Sequence, residues 1–293
     1  MTKLILGCGY LGLRVARRWL EAGEVVHAVT RSPERAAEFA RQGLKPIVAD
    51  VAEPDMLAGR LPEAETVLYA IGYDSRAGRS REEVQLAGLE SVLDALPPRT
   101  GRLVYISSTG VYGQMSGEWV NEDSPCLPTR EAGRVALAAE ELLARHPLGE
   151  RTFALRLAGI YGPDRIPHRG DLMAGRPISA MLESYLNLIH VDDAAAAVLA
   201  AEAHGQPPRM FLVSDGHPVR RSDWFAELAR LFAAPPPRFE PPSPEALAAS
   251  RSGTDKRISN ARIASELHFS PRYPSYREGL ASIVRELDTI DDS

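Results

Sequence analysis

A glycine-rich loop close to the first residue has the spacing that can hold a dinucleotide. The loop has the sequence GCGYLG at residues 7–12, follows the apolar segment Lys3–Leu6 and runs into the amphipathic segment Leu11–Ala22. A Gly-x-Gly-x-x-Gly loop between a strand and a helix places a pyrophosphate at the helix N-terminus, where N–H groups and a partial positive charge attract the anion. We therefore predict a nicotinamide dinucleotide at this loop; the alternative is a glycine turn that binds nothing.

The three glycines of the loop have separate roles in such a site. Gly7 permits the tight turn, Gly9 lets the backbone approach the pyrophosphate, and Gly12 lets helix and strand pack closely. Tyr10 and Leu11 complete the loop and are predicted to contact the cofactor as well.

The end of the second predicted strand, Val25–Val29, selects between the two nicotinamide cofactors. An acidic residue there binds the ribose hydroxyls of NAD, whereas an arginine accommodates the 2′-phosphate of NADP. This chain has Arg31 and Ser32 at that place, and a guanidinium can bind a phosphate with two hydrogen bonds. We predict NADP, with NAD as the alternative if Arg31 is only a solvated surface residue.

Asp50 closes the third predicted strand, Leu44–Ala49. Its carboxylate could accept a hydrogen bond from the adenine amino group. It could equally cap a turn, which is a common role for aspartate.

Alternating apolar and amphipathic segments position these residues. Strands separated by helices imply a parallel sheet covered on both faces, so the predicted fold is an α/β, doubly wound Rossmann fold. The further predicted strands are Thr66–Ile71, Arg102–Ser107 and Arg151–Leu157, and the further predicted helices are Pro33–Arg41, Arg81–Ala95 and Arg130–Arg145.

The second half of the chain is less regular. Order returns in a strand over Leu188–Val191, a helix over Asp192–Ala203, a strand over Met210–Val213 and helices over Ser222–Phe232 and Asn260–Leu267. We predict a Rossmann domain over 1–162, to which 188–213 returns. Residues 163–187 and 214–293 would form a small, mainly helical substrate-binding region.

Composition and charge exclude several classes of protein. The 293 residues carry a formal net charge of −5 and have no basic run, which argues against nucleic-acid binding. No apolar stretch approaches the ~20 residues of a membrane span. The two cysteines, Cys8 and Cys126, lack the spacing of a zinc site or a disulfide framework. We expect a cytoplasmic protein without a metal site that acts on a small molecule.

Several motifs together resemble the extended short-chain dehydrogenase/reductases, in the NAD-dependent epimerase/dehydratase group. The matching stretches are GCGYLG at 7–12, Asp50-Val51, Ala70-Ile71-Gly72, YISSTGVYG at 105–113, RLAGIYGP at 156–163 and IHVDDAAAA at 189–197. The resemblance implies nicotinamide chemistry in a cleft beside the Rossmann domain. It also implies that Val51, Ala70, Ile71, Gly72 and Ser107 contact the cofactor.

The catalytic motif of these enzymes departs from the pattern in this chain. The family uses a Ser or Thr after the fifth strand together with a Tyr-x-x-x-Lys on the next long helix. Ser108 matches the first, but Arg130 occupies the Tyr position and Arg134 the Lys position. Arg134 could still bind the nicotinamide ribose, whereas Arg130 cannot act as an acid or base because a guanidinium stays protonated.

Two hypotheses follow from this substitution. In the first, the chain is an oxidoreductase or epimerase whose proton comes from another residue: Tyr112 first, then Tyr161, Tyr73 and His168, each of which could instead serve packing. In the second, it is a non-catalytic NADP(H)-binding sensor. Arg130 would then bind an anionic ligand such as a phosphate or carboxylate, or would be a surface residue.

The remaining motifs narrow the substrate and the assembly. Thr109 and Gly110 replace the Asp-Glu pair of the family's sugar-nucleotide dehydratases, which argues against dehydration. The stretch between Pro163 and Leu188 is short and lacks a sustained substrate-binding pattern, which argues against a large nucleotide-sugar pocket and favours a small polar substrate. His190 and Asp192 are interpreted as structural, with Asp192 capping the helix that follows. By analogy with the family, a homodimer could form through the helices over Arg81–Ala95 and Arg130–Arg145.

Overall fold

The computed structural model describes residues 1–243 and 254–291, and its side chains up to residue 287. The predicted region 214–293 therefore lies partly outside the described residues. The strands are β1 (Thr2–Leu6), β2 (Val25–Thr30), β3 (Lys45–Val48), β4 (Thr66–Tyr69), β5 (Arg102–Ser108), β6 (Glu118–Val120), β7 (Thr152–Leu157), β8 (Gly159–Tyr161), β9 (Ile178–Ser179), β10 (Tyr185–Leu186), β11 (Leu188–His190), β12 (Arg209–Val213), β13 (Val219–Arg220), β14 (Phe239–Glu240) and β15 (Lys256–Ile258). The helices are α1 (Gly12–Glu21), α2 (Pro33–Arg41), α3 (Gly88–Ala95), α4 (Glu131–Arg145), α5 (Arg169–Met173), α6 (Val191–His204), α7 (Arg221–Leu231), α8 (Ala261–Leu267) and α9 (Tyr276–Asp291).

The chain divides into two compact units. The first comprises Met1–Ser108, Glu131–Arg156 and Ala195–Phe211; the second comprises Thr109–Arg130, Leu157–Ala194 and the described part of Leu212–Ser293. The domain boundaries drawn from the sequence stay a prediction.

A seven-stranded sheet with the order β12-β7-β5-β4-β1-β2-β3 organises the Rossmann part of the chain. The pairings of β1 with β2 and β4, of β2 with β3 and of β4 with β5 are all parallel. The predicted α/β, doubly wound fold is confirmed. Strand order reverses between β1 and β4, and at such a switch point the loops after the strands form a ligand crevice. The loop at 7–12 follows β1 and therefore lies there.

The register brings the predicted cofactor residues of the first unit to one edge of the sheet. Leu6, the last residue of β1, lies beside Val29 of β2 on one side and Tyr69 of β4 on the other. The glycine loop, the Arg31 segment and the Ala70 segment thus leave the sheet together. An apolar core that includes Leu4, Leu6, Val67, Leu89 and Leu103 fixes these strands against α3 and α4.

Local sequence signals explain the first helices. Ser32 caps α2, since its hydroxyl accepts a hydrogen bond from the Arg35 N–H, and Pro33 takes the first helical position. Gly23, just after α1, has φ +79°, a conformation that favours glycine at a helix end. Both helices match the predicted segments closely.

The predicted helix over Arg81–Ala95 has an irregular first half. Residues Glu83–Ala87 form a π-helical turn, and the regular helix α3 begins only at Gly88. A Cβ at Gly88 would lie 2.9 Å from Val51 Cγ2, so the helix backbone packs directly on that valine.

The second unit has a core of its own. Its larger members are aromatic and aliphatic side chains from β8, α7 and α9, namely Tyr161, Trp224, Phe225, Tyr276 and Leu280. Short strand pairs complete the unit, among them the parallel pair of β6 and β15.

Candidate dinucleotide site and catalytic residues

The glycine loop has the geometry that a pyrophosphate needs. Gly7 has φ +91°, and a Cβ there would lie 2.4 Å from the backbone of Ala70. A Cβ on Gly12 would lie 2.5 Å from the Gly7 carbonyl oxygen. By contrast, a Cβ on Gly9 would meet nothing within 4 Å. Gly7 and Gly12 are thus required by packing, whereas Gly9 borders open space that a ligand can fill.

The start of α1 is suited to an anion. Leu11, the residue before α1, makes no side-chain capping hydrogen bond. The first turn of α1, all of which the structure describes, contains no acidic residue. N–H groups at such a helix end need an acceptor, and a phosphate oxygen can supply one. The residues of this loop therefore fit a dinucleotide.

Two arginines, Arg31 and Arg35, follow β2 within five residues. Arg31 is exposed. Arg35, on α2, donates from Nη2 to the Cys8 carbonyl at 3.0 Å and so attaches to the glycine loop itself. Sequence reasoning missed Arg35; its place one helical turn after the cap Ser32 was the available signal. The Ser32 hydroxyl also donates to Glu34 at 2.5 Å.

Asp50 caps a turn. Its Oδ1 accepts from the Ala52 N–H at 3.0 Å, and its Oδ2 lies 3.8 Å from Arg79 Nη2. Val51 is buried against α3. These contacts favour the turn-cap interpretation of Asp50 over an adenine contact.

The segment after β4 borders the glycine loop through Ala70. The Ala70 carbonyl lies so close to Gly7 that a Cβ on Gly7 would be 2.4 Å from it. Ala70 and Ile71 are half-buried and Gly72 is exposed. The Ile71 carbonyl accepts a hydrogen bond of 3.4 Å from Gln85 Nε2.

The two serines at the end of β5 differ in their surroundings. Ser107 is buried, and its hydroxyl donates to the carboxylate of Glu140 on α4. That carboxylate also accepts from Arg156 Nε at 2.9 Å, so Ser107 belongs to a buried polar network. Ser108 is half-buried at the strand end.

The two arginines predicted to replace the family motif fall in different units. Arg134 is exposed on the first turn of α4, in the first unit. Arg130 is half-buried, directly precedes α4 and belongs to the second unit.

Tyr112, the leading candidate for the missing proton carrier, is fully buried. Its hydroxyl donates to the Asn121 carbonyl at 2.9 Å. These two observations favour the packing interpretation, because the proton is already engaged and water is excluded.

Lys256, a buried lysine from β15, lies against the backbone of Tyr112. Its Nζ donates to the Tyr112 carbonyl at 2.8 Å and to Thr254 Oγ1 at 3.0 Å. Burial lowers the pKa of Lys256 to about 8, and the positive charges of Arg130 and Arg221 add to the effect. Sequence reasoning missed this residue; its only signal was rarity, since Lys3 and Lys45 are the other lysines of the chain.

The other three candidates have contacts of their own. Tyr161 is fully buried, and burial raises its pKa above the usual range. The Tyr73 hydroxyl donates to the Arg79 carbonyl at 3.1 Å, while the Arg81 guanidinium stacks on the ring. His168 is exposed, with Nδ1 3.3 Å from Asp171 Oδ2.

The expected capping role of Asp192 is wrong. Helix α6 begins one residue earlier, at Val191, and His190 Nδ1 accepts from the Asp192 N–H at 3.3 Å. Asp193 serves a long-range purpose, because its carboxylate accepts from the N–H groups of Arg272 and Tyr273 at 2.8 and 3.0 Å.

Metal-binding clusters and membrane-spanning helices are both missing from the residues that the structure describes. Within that part of the chain, no three His, Cys, Asp or Glu side chains are grouped so that they could hold a metal ion. None of its helices combines the length and apolar character required to cross a bilayer.

Comparison with known proteins assigns this arrangement to a family. Residues 4–214 match the NAD dependent epimerase/dehydratase family. The chain belongs to this family, and the resemblance inferred from the motifs is confirmed.

Particular relatives cover nearly the whole chain. Protein YeeZ of Escherichia coli K12 is 30% identical over 278 residues, which covers 92% of this chain and 95% of that protein. A 3-diazoavenalumate denitrifying reductase of a Streptomyces species is 30% identical over 311 residues, covering 96% and 99% of the two chains. The solved structure of a Thermus thermophilus UDP-glucose 4-epimerase in complex with NAD has the same fold, with a TM-score of 0.81, 19% identity and coverage of 98% and 99%.

Proposed function

We propose that this chain is an NADP(H)-dependent oxidoreductase that reduces a carbonyl group on a small polar substrate. The observation that carries the proposal is the glycine loop, in which Gly9 borders open space and α1 starts without a side-chain cap. When bound, the cofactor supplies a hydride. The residues of the chain bind and orient the two reactants.

The phosphorylated cofactor is favoured by the charge at the end of β2. Arg31 is exposed there, and Arg35 is attached to the Cys8 carbonyl of the glycine loop. Guanidinium groups bind phosphate through charge-assisted hydrogen bonds. Arg134 keeps the positive charge that the family's lysine offers to the nicotinamide ribose.

Ser108 and Arg130 are the residues proposed for the substrate. The Ser108 hydroxyl can donate a hydrogen bond to a carbonyl oxygen, and such donors stabilise the negative charge that develops there. Arg130 would bind an anionic group such as a carboxylate or phosphate. Reduction is preferred over epimerisation because the Streptomyces relative is named a reductase and matches over almost its full length.

A second candidate function is a non-catalytic NADP(H)-binding sensor. The engaged hydroxyl of Tyr112 and the absence of any Tyr-x-x-x-Lys in the sequence favour it. A homodimer through α3 and α4 and a cytoplasmic location remain predictions from the sequence.

The two candidates are separated by binding and turnover measured on one preparation. NADPH and NADH are titrated calorimetrically, and NADPH consumption is then followed with glyoxylate, pyruvate and 4-nitrobenzaldehyde. We expect NADPH to bind at least about tenfold more tightly than NADH, and to be consumed with at least one carbonyl. Tight binding without turnover would favour the sensor, and no binding would contradict both.

A further inference from the structure

The backbone carbonyls of residues 7–11, in the glycine loop, all accept hydrogen bonds from donors in the first unit. Three of them accept backbone N–H groups: the Gly7 carbonyl from Gly9 at 2.8 Å, the Gly9 carbonyl from Leu13 at 2.9 Å, and the Leu11 carbonyl from Arg14 and Val15 at 3.0 and 3.2 Å. The other two, those of Cys8 and Tyr10, accept from arginine side chains. The carbonyl oxygens, which would repel a phosphate, are thus engaged with the protein itself.

Arg14 binds the Tyr10 carbonyl from the first turn of α1. Its Nη1 donates to that oxygen at 2.8 Å, and its guanidinium lies over the Tyr10 ring, 4.4 Å from the ring centroid. Both residues are half-buried. Arg35 has the corresponding role on α2, where its Nη2 donates to the Cys8 carbonyl. The shape of the loop therefore depends on two side chains as well as on its glycines.

The hydrogen bond to the Tyr10 carbonyl also sets the direction of the next N–H group. The Tyr10–Leu11 peptide is trans, and in a planar trans peptide the C=O and N–H bonds point in opposite directions. With the carbonyl held by Arg14, the Leu11 N–H points away from that guanidinium. Leu11 directly precedes α1, and the first N–H groups of a helix have no intrahelical acceptor. The Leu11 N–H is therefore oriented and suited to an external acceptor.

The charge of Arg14 is placed where a helix alone does not favour a cation. The N-terminus of a helix carries a partial positive charge, so a positive side chain in the first turn is unfavourable there. No acidic residue stands in the first turn of α1 to offset it. An anion bound at the loop would be attracted by the helix end and by Arg14 together.

We propose that Arg14 is a positioning residue of the dinucleotide site. It holds the Tyr10–Leu11 peptide so that the Leu11 N–H donates to the pyrophosphate. The inference rests on the proposed binding of a nicotinamide dinucleotide. Because NADPH and NADH share the pyrophosphate, Arg14 serves both, in contrast to the choice between them assigned to Arg31. The alternative is that Arg14 only supports the Tyr10 ring and the fold.

The peptide in question can be observed directly in the free protein. A tyrosine is followed by a leucine at two places in the sequence, Tyr10-Leu11 and Tyr185-Leu186. Labelling tyrosine with 13C at the carbonyl and leucine with 15N therefore gives two HNCO signals, and Tyr185→Phe assigns them by removing one. In Arg14→Met, we expect the Leu11 signal to move and the Leu186 signal to stay. A Leu11 signal at its wild-type position would overturn the proposal.

The same labelled wild-type protein tests the donor without any variant. When NADPH binds, the Leu11 amide proton should move downfield, because it gains a phosphate oxygen as acceptor. Calorimetry on the same sample shows whether the cofactor is bound. Bound NADPH with an unmoved Leu11 proton would also overturn the proposal.

The affinities then separate positioning from packing. Arg14→Met should raise the Kd for NADPH and the Kd for NADH by the same factor, roughly tenfold, the value of a hydrogen bond to a charged group. Arg17→Met is the matched control, since Arg17 is an exposed arginine on the same helix, and it should bind both cofactors as wild type does. The melting temperature of each variant checks that the fold is retained.

The outcomes distinguish this inference from the proposed function. If Arg14→Met keeps the wild-type Kd for both cofactors, or loses affinity for NADPH alone, Arg14 does not position the pyrophosphate peptide, while cofactor binding stands. If wild type binds neither cofactor, the proposed function fails and this inference fails with it.

Discussion

Lys256 Nζ donates a 2.8 Å hydrogen bond to the backbone carbonyl of Tyr112, across 144 residues of chain. The bond ties β15 to the loop after Ser108 and removes both ends of Tyr112 from solvent, since the tyrosine hydroxyl is bonded to the Asn121 carbonyl. Burial, together with the positive charges of Arg130 and Arg221, lowers the pKa of this lysine.

Filling the space at Gly9 should weaken dinucleotide binding without harming the fold. A Cβ at Gly9 has no neighbour within 4 Å, so Gly9→Ala intrudes only on the ligand. We expect the Kd for NADPH, measured by calorimetry, to rise at least about tenfold, a loss of about 1.4 kcal/mol. The melting temperature should stay near that of wild type.

Gly170→Ala is the control for the Gly9 variant. Gly170 also has nothing within 4 Å of an added Cβ, but it lies on α5 in the second unit. Its NADPH affinity should be unchanged. A Gly9 variant with wild-type affinity would show that the pyrophosphate does not lie over the loop.

The two arginines near β2 should separate cofactor choice from cofactor affinity. Arg31→Ala removes an exposed charge that would face only the 2′-phosphate, so NADPH affinity should fall by roughly 10–100-fold, the value of a charged hydrogen bond. NADH affinity should not change. Arg35→Ala releases the Cys8 carbonyl and should weaken both cofactors.

Arg41→Ala, at the exposed end of α2, is the matched control for these variants. Equal losses for NADPH and NADH in Arg31→Ala, or no loss at all, would contradict the assignment of NADP.

Local signals made the dinucleotide part of the fold predictable. The apolar run of β1, the three loop glycines, the Ser32 cap with Pro33 and the Gly23 helix end each act within a few residues. Their effects do not depend on distant parts of the chain. The predicted bounds of β1, α1, β2 and α2 therefore agree with the structure to within about two residues.

The surroundings of Lys256 were less predictable because they depend on long-range pairing. Strands β6 and β15 have three residues each and no periodic pattern long enough to detect, yet their pairing positions Lys256. The start of α6 shows the same limit of local prediction. The capping rule assigned Asp192 as the N-cap, whereas the His190 side chain accepts the hydrogen bond from a backbone N–H there. The Asp193 carboxylate binds backbone N–H groups about 80 residues away.

The buried carboxylate of Glu140 should be important for stability. It accepts from the Ser107 hydroxyl and from Arg156, whose side chain is 4% exposed. Glu140→Ala removes the carboxylate that this buried guanidinium binds, a change that costs about 3–5 kcal/mol. Urea unfolding should show a loss of this size, and Ser107→Ala a loss of about 1 kcal/mol.

Glu141→Ala is the control one residue along α4. Glu141 pairs with Arg145 on the helix surface at 3.2 Å, and such exposed pairs contribute at most about 0.5 kcal/mol. Adding Arg156→Met to Glu140→Ala should restore part of the loss, since the buried positive charge is removed as well. Similar losses for Glu140→Ala and Glu141→Ala would show that the buried network is not stabilising.

The buried carboxyl of Asp215 should make the protein less stable as pH rises from about 4 to about 7. Its Oδ1 accepts from the His217 N–H at 2.9 Å, while its Oδ2 has no hydrogen-bond partner among the described residues. Burial raises the pKa of Asp215 to about 7, with the charges of Asp193 and Glu278 adding to the effect. The unfolded chain releases this proton near pH 3.9.

Between these two pKa values the folded state holds a proton that the unfolded state has lost. Unfolding therefore becomes easier as pH rises, by about 1.4 kcal/mol per unit and a few kcal/mol in total, and the effect levels off above the folded pKa. Asp215→Asn cannot titrate and keeps the Oδ1 acceptor. Its melting temperature should gain on wild type from pH 5 to pH 8, while the exposed Asp164→Asn should show no such trend. A constant difference between Asp215→Asn and wild type over that range would mean that Asp215 does not hold its proton in the folded state.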